Sequence, residues 1–227
     1  MTVDDALPQA GEPPLIIPAW STATLRARLT EVAVAGALAA VLLVLVWLQL
    51  RPDIATATTT PFFWVKGLYT AALAVVMLGG AGAVARPGGS IRPALMAAGA
   101  LVAVMLIAAA VEAPRLSPPL VAHVFDPRGL LSGVTNIFSL AAPMLLIAGV
   151  GLRRVDLDRP GLMGLLVGLF CGGVAATVYG LHCQDSTFTL LGLWYTSAIL
   201  LCGAVGGVGL GLLHQGPDPL GDPIAAE

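Results

Sequence analysis

Apolar and polar residues along this chain fall into long blocks. Charge-free windows cover residues 32–50, 67–85, 93–111, 129–152, 160–181 and 186–213. An α-helix rising about 1.5 Å per residue needs about 20 apolar residues to cross a hydrocarbon core of ~30 Å. All six windows meet that length, and the last leaves room for tilt. Segments of about ten alternating residues, the mark of a membrane barrel, do not occur. Backbone immersed in lipid must satisfy its own hydrogen bonds, so each window reads as a helix. The pattern predicts an all-α integral membrane protein, a bundle of six transmembrane helices at about 32–50, 64–85, 93–111, 133–152, 160–181 and 188–213. That gives a cytoplasmic N-terminal tail over 1–30, a transmembrane domain over 31–214 and a cytoplasmic C-terminal tail over 215–227.

Composition sharpens this picture. Of 227 residues, 57% are hydrophobic and 11% charged, against about 25% charged in soluble domains. So few polar side chains cannot cover a soluble domain of this size, which excludes a soluble enzyme and a disordered tail protein. A net charge of −2 excludes a strongly basic nucleic-acid binder. Three cysteines without CxxC spacing give neither a zinc framework nor a complete disulfide set. With a cytoplasmic N-terminus, Arg26, Arg28, Arg86, Arg92, Arg153, Arg154 and Arg159 lie inside, while Arg51, Arg115, Arg128 and Lys66 lie outside. That bias places both termini on the cytoplasmic side. Asp4, Asp5, Glu12 and the prolines among residues 1–30 read as a flexible tail, not a cleavable signal.

The polar exceptions within the apolar blocks carry the remaining information. Phe62, Phe63 and Trp64 at a span entrance read as interfacial belt residues. Lys66 reads as a side chain snorkelling to the outer interface; the alternative is an inward Lys66 paired with Asp53 or Glu112. Residues 86–92 read as a basic inner turn. The proline-rich loop from Glu112 to about Arg128 reads as extended and lying on the bilayer or bundle. Pro143 is expected to kink its helix. Gly164, Gly168 and Gly172, then Gly203, Gly207 and Gly211, repeat every four residues. Such faces let two helices approach closely, so packing of the fifth span on the sixth is the preferred reading over a transport groove. Cys171 and Cys202 would share a depth in that interface as small inert hydrophobes.

Reactive side chains concentrate in Tyr179-Gly180-Leu181-His182-Cys183-Gln184-Asp185. A cationic neighbour or a metal favours the thiolate of a cysteine, so Cys183 with His182 beside it is the candidate reactive thiol. His182, Cys183 and Asp185 form at best a weak metal set, needing His123 or Asp126 to reach four ligands. His123 and His214 read as solvated or interfacial. No GxSxG, HExxH, Walker or dinucleotide motif occurs, so no enzyme activity and no cofactor is expected.

Several segments together resemble the NrsF type of membrane anti-sigma factor, negative regulators of extracytoplasmic-function sigma factors. They are Arg51-Pro52-Asp53, Phe63-Trp64 with Lys66, Ala85-Arg86-Pro87-Gly88, and Tyr179-Gly180-Leu181-His182-Cys183 followed by Trp194-Tyr195. The resemblance spans about residues 45–215. It implies a six-helix inner-membrane protein that holds an extracytoplasmic-function sigma factor inactive and releases it on metal or oxidative stress sensed through two outward cysteines. Cys183 matches the second cysteine, and Asn136 stands at the place of the first. An amide forms no disulfide and is a poor ligand for soft metals.

The leading reading is therefore a membrane anti-sigma factor working in transcription regulation and stress response. The partners it expects are the lipid bilayer and the sigma factor, with no direct nucleic-acid contact. Cys183, His182 and Asn136 are the outer sensing candidates; Arg86, Arg92, Arg153, Arg154 and Arg159 are the partner-facing candidates. The alternative is a small-molecule carrier or channel-like subunit, which requires a water-lined cavity containing Lys66, Glu112 or Asn136. A purely structural membrane subunit is the third possibility.

Overall fold

The computed structural model describes residues 22–86, 88–153, 155 and 157–215. The terminal segments 1–21 and 216–227, and Arg154 with its neighbour Asp156, lie outside the described residues. Among those described, every regular element is helical. They are α1 (Thr22–Leu43), α2 (Ile54–Ala57), α3 (Pro61–Val84), α4 (Arg92–Glu112), α5 (Pro118–Val124), α6 (Pro127–Leu152), α7 (Pro160–Tyr179), α8 (Phe188–Leu190) and α9 (Thr196–Gln215). A π-helical turn, Val44–Leu48, continues α1, and a second, Leu191–Tyr195, joins α8 to α9.

Prolines set most of the starting points. α3, α4, α5, α6 and α7 each carry Pro in the first turn, where its missing N–H costs nothing and its fixed φ suits a helix. Asp126 adds a side-chain cap to α6, accepting from the backbone N–H of Gly129 at 3.1 Å and of Arg128 at 3.4 Å. The same chemistry corrects the reading of residues 112–128 as extended. Pro114 lies in a 3-10 turn, Ala113–Arg115, and Pro118 opens α5. Helix α1 also begins at Thr22, well ahead of the first charge-free window, so the expected flexible tail is helical over residues 22–30. α6 runs unbroken through Pro143.

Among the described residues five helical segments are long and apolar enough to cross a membrane: Pro61–Val84, Arg92–Arg115, Leu131–Leu152, Pro160–Tyr179 and Phe188–His214. The apolar part of the first helix, Val34–Leu48, is shorter than the rest. The long helices alternate in direction. Residues 49–60, 113–126 and 180–187 gather at one end, the cap; residues 85–91 and 153–159 lie at the other, the arginine end. At that end His214 joins α9 to the 153–159 turn, with Nε2 3.1 Å from the Val155 carbonyl and Nδ1 3.0 Å from that of Leu210. Of the two expectations for His214, solvated or interfacial, this partly buried tether excludes the solvated one.

Helix α7 is the axis of the bundle, packed against α9, α3, α6 and α1. Leu166, Phe170, Cys171, Ala175 and Ala176 on it are all buried. α4 is peripheral, and its outward side chains are apolar: Met96 is 74% exposed and Val104 65%. A large apolar exterior of this kind suits lipid and not water. Polar bonds between helices are few and short. Thr70 Oγ1 of α3 pairs with Thr177 Oγ1 of α7 at 2.8 Å, and the Tyr69 hydroxyl of α3 pairs with Thr196 Oγ1 of α9 at 2.7 Å.

The α7–α9 contact is close because it is built on glycine. A methyl group at Gly164 would collide with the Gly206 carbonyl, and one at Gly168 with the Cys202 carbonyl. At Gly172 it would come within 2.9 Å of Cys202 Cβ. From the other helix, Gly206 is pressed on the Gly164 carbonyl and Gly203 on Leu169. Gly207 sits in looser contact, and Gly211 is 3.7 Å from Gly161 by the same measure. Gly206, off the four-residue repeat, is thus part of the closest approach. Cys171 and Cys202 are buried in this interface as free thiols.

Two expected outcomes follow from this packing. Gly168→Val should destabilise the detergent-solubilised protein by about 1–3 kcal/mol through overpacking, whereas Gly209→Val, where a Cβ meets nothing within 4 Å, should leave the melting midpoint unchanged. Glu112 accepts hydrogen bonds from the Thr189 backbone N–H at 2.8 Å and from its hydroxyl at 2.9 Å. Glu112→Ala strands the Thr189 N–H, while the hydroxyl keeps the Ala109 carbonyl at 3.5 Å; the penalty of about 1–3 kcal/mol should speed hydrogen exchange at the start of α8.

Candidate functional site

The cap is organised around a break in the helical ladder. α7 ends at Tyr179, whose carbonyl still accepts from the N–H groups of His182 at 2.9 Å and Cys183 at 3.0 Å. Beyond that the chain runs through residues 184–187 without helical bonding, leaving carbonyls that need donors from elsewhere. Two cationic side chains from distant segments provide them. Lys66 Nζ, on the first turns of α3, donates to the carbonyls of Cys183 and Asp185, both at 2.9 Å. Arg51, between α1 and α2, donates from Nη1 to the Cys183 carbonyl at 3.4 Å, and its own backbone N–H bonds the Leu181 carbonyl at 3.2 Å.

Lys66 is therefore neither snorkelling nor paired with Asp53 or Glu112. It is 2% exposed, and among the described residues no carboxylate lies within ion-pair distance of it. Backbone carbonyls take the place of a counterion, with the Tyr195 ring 5.8 Å from Nζ. Arg51 is paired: Nε and Nη2 fork onto the Asp53 carboxylate at 2.8 and 2.7 Å, which raises the guanidinium pKa and holds the Asp53 carboxyl below its usual range. A bidentate pair of this type fixes orientation as well as charge.

Cys183 is buried beside this clamp. Its Sγ lies 3.7 Å from Asp185 Oδ2, and Asp185 Oδ1 is 2.9 Å from Nε2 of His123 on α5. The Tyr195 hydroxyl, in the π-helical turn, neighbours the Cys183 sulfur but reaches hydrogen-bond geometry with no described residue; the indole N–H of Trp194 is likewise buried without a partner. A cavity of about 60 Å³ lies among Cys183, Asp185, His123, Tyr179, Trp194 and Tyr195, large enough for a few water molecules.

The remaining sequence candidates fall as follows. His182 is turned to the other side of the turn, its Nδ1 2.9 Å from the Gln49 carbonyl and its ring against Tyr179. Gln49 itself holds φ 66°, a backbone conformation that costs a non-glycine residue about 1–3 kcal/mol. Asn136 on α6 lies near the Tyr179 hydroxyl. Among the described residues no three His, Cys, Asp or Glu side chains are gathered as a metal site requires; His182 is not drawn in with Cys183 and Asp185. Neither Lys66, Glu112 nor Asn136 lines the cavity at the cap, so that cavity lacks the groups a carrier reading requires. Arg86, Arg92, Arg153 and Arg159 are exposed at the arginine end.

Sequence reasoning passed over Arg51, Tyr195 and Trp194 as site residues. The signal for Arg51 is its order, Arg-Pro-Asp at the end of an apolar run, which favours a local ion pair. Nothing in the chain's periodicity announces Tyr195, because the π-helical turn shifts its register relative to the rest of α9.

Comparison with known proteins places this geometry in context. A family profile described as "Negative regulator of sigma F" matches residues 17–213. Over 185 residues, 79% of this chain and 85% of the relative, the sequence is 43% identical to a protein of Caulobacter vibrioides named "Anti-sigma-F factor NrsF". Over 171 residues, 75% of this chain and 80% of the relative, it is 33% identical to "Probable anti-sigma-F factor NrsF" of Azospira oryzae. No solved structure matches the chain significantly. The family is regulatory and non-enzymatic, and this chain, matching it along nearly all of its helical bundle, belongs to the NrsF family of negative regulators of sigma F.

Proposed function

We propose that this chain is a six-pass protein of the bacterial inner membrane that sequesters an extracytoplasmic-function sigma factor on its arginine end and releases it on an envelope stress signal received at the cap. The observation that carries the reading is the family match over residues 17–213, which coincides with the bundle itself. The crossing helices are α1, α3, α4, α6, α7 and α9, with both termini cytoplasmic. The apolar exterior supports insertion, and the exposed arginines at residues 86, 92, 153 and 159 support a cytoplasmic arginine end.

The partner's acidic surface meets those arginines, with Asp158 in the same turn setting the local charge balance. A signal at the cap shifts the partner equilibrium only if it favours one packing of the bundle over another. Cys183 is the reporter and Asn136 its neighbour across Tyr179, with His182 holding the turn to Gln49 and not tuning the thiol. Lys66 links the Cys183 turn to α3, and α3 runs from there to the turn that carries Arg86.

Three outcomes test this reading. An extracytoplasmic-function sigma factor of the same cell should co-purify with the detergent-extracted protein. The double variants Arg86→Glu/Arg92→Glu and Arg153→Glu/Arg159→Glu should each weaken retention roughly tenfold, about 1.4 kcal/mol; retention unchanged in both would exclude the arginine end as the docking face. Lys66→Met should leave the Asp185 carbonyl unpaired and the Cys183 carbonyl with Arg51 alone, and speed hydrogen exchange over residues 182–187. It should also shift sigma-factor retention, although residue 66 lies far from the arginine end.

A further inference from the structure

The described part of the molecule contains one buried cysteine that differs from the others in its surroundings. Cys171 and Cys202 are enclosed between two helices that touch backbone to backbone. Cys183 instead borders the cap cavity. Two donors on that cavity's wall, the Trp194 indole N–H and the Tyr195 hydroxyl, have no partner among the described residues, and Tyr195 is 2% exposed. A buried donor left unpaired costs about 1–3 kcal/mol, and the cavity's volume suits the water that would remove this cost. At its rim stand Gly129 and the two partly exposed side chains, His123 and Asp185, which are bonded to each other at 2.9 Å. His123 belongs to the short helix α5, on which Val124 is the buried anchor. Breaking the His123–Asp185 bond therefore frees one side of the rim without touching the Lys66 clamp, which holds Asp185 through its main-chain carbonyl.

We infer that the cap cavity is a hydrated chamber admitting small neutral solutes to the Cys183 thiol, and that the His123–Asp185 pair is the latch controlling entry. The chamber takes water and molecules of a few heavy atoms that accept hydrogen bonds from Trp194 and Tyr195. The inference deepens the reading of Cys183 as reporter, but its test needs no sigma factor and stands or falls separately from sequestration.

The experiment is timed labelling of the full-length protein in detergent with methyl methanethiosulfonate. Its transferred methylthio group forms a disulfide with a cysteine as methanesulfinate leaves. Peptide mass spectrometry reads each cysteine. In the unaltered protein Cys183 should label while Cys171 and Cys202 do not. His123→Ala should raise the Cys183 rate by about two- to fivefold, the factor an exposed ion pair is worth, and Asp185→Asn should raise it in the same direction. Gly133→Val, placing a side chain at a cavity wall where a Cβ meets only the Tyr179 hydroxyl at 3.9 Å, should slow it. Labelling of Cys171 and Cys202 reports any loss of fold, in which case the Asp185→Asn and Gly133→Val results decide. Cys183 labelling no faster than the two interface cysteines would overturn the hydrated chamber. An unchanged rate in both latch variants would overturn the latch.

Discussion

Unpaired backbone carbonyls in an apolar surround govern the architecture of the cap. A helix satisfies its own backbone, but where α7 gives way to α8 the ladder stops while the chain is still partly buried. Lys66 and Arg51 close that gap, each reaching the turn from a segment more than 100 residues away in sequence. Three otherwise independent segments are thereby joined: the end of α1, the start of α3 and the turn that carries Cys183. The energetic logic is asymmetric. Forming such bonds yields little net stability, because water offers the same groups equivalent partners in the unfolded chain. Losing one after burial exposes the full cost of desolvation. The clamp therefore matters more for which arrangement the cap adopts than for how stable the bundle is.

The opposite constraint shapes the bundle's axis. Between α7 and α9 the closest approach is backbone against backbone at Gly164, Gly168 and Gly206, with Leu165, Leu169 and Leu210 packed beside it. Contacts of this kind tolerate neither separation without loss of dispersion nor compression without collision. The pair behaves as one rigid unit, while α4 packs chiefly on α3 and the cap. In the proposed release, movement belongs to elements placed around the axis. α3 is the best placed of these, since it meets α7 through Thr70 and Thr177 and meets the Cys183 turn through Lys66.

Much of this was legible in the chain, for reasons that differ by feature. Helix positions follow from charge-free length and from prolines, because both act locally. The glycine faces of α7 and α9 follow from spacing, although Gly206 escapes a strict four-residue count because two helices crossing at an angle do not keep one register. The cluster around Cys183 was visible as reactive chemistry, yet the role of Lys66 was not. A lysine near a helix end has an inexpensive alternative at the interface, and only the location of two orphan carbonyls decides against it. Residues 112–128 were misjudged because proline was taken as a sign of extended chain, when at a first-turn position it favours a helix. His182 was assigned to the thiol on sequence adjacency alone. Successive residues in a turn point in different directions, and its ring went to Gln49.

The strained backbone at Gln49 gives these observations a common direction. Its positive φ is unfavourable by itself, and it is held where the Gln49 carbonyl meets His182 Nδ1 and where Arg51, two residues on, grips the Cys183 turn. Strain persists only where surrounding contacts over-determine the conformation. Anything that loosens the 181–185 turn removes those contacts together, because all of them are made to that one turn. The α1 end would then relax toward an ordinary backbone conformation, and α3 would lose its tie through Lys66. The cap contacts are therefore coupled through one short turn, and the loss of that turn's conformation is felt at once by the end of α1 and the start of α3.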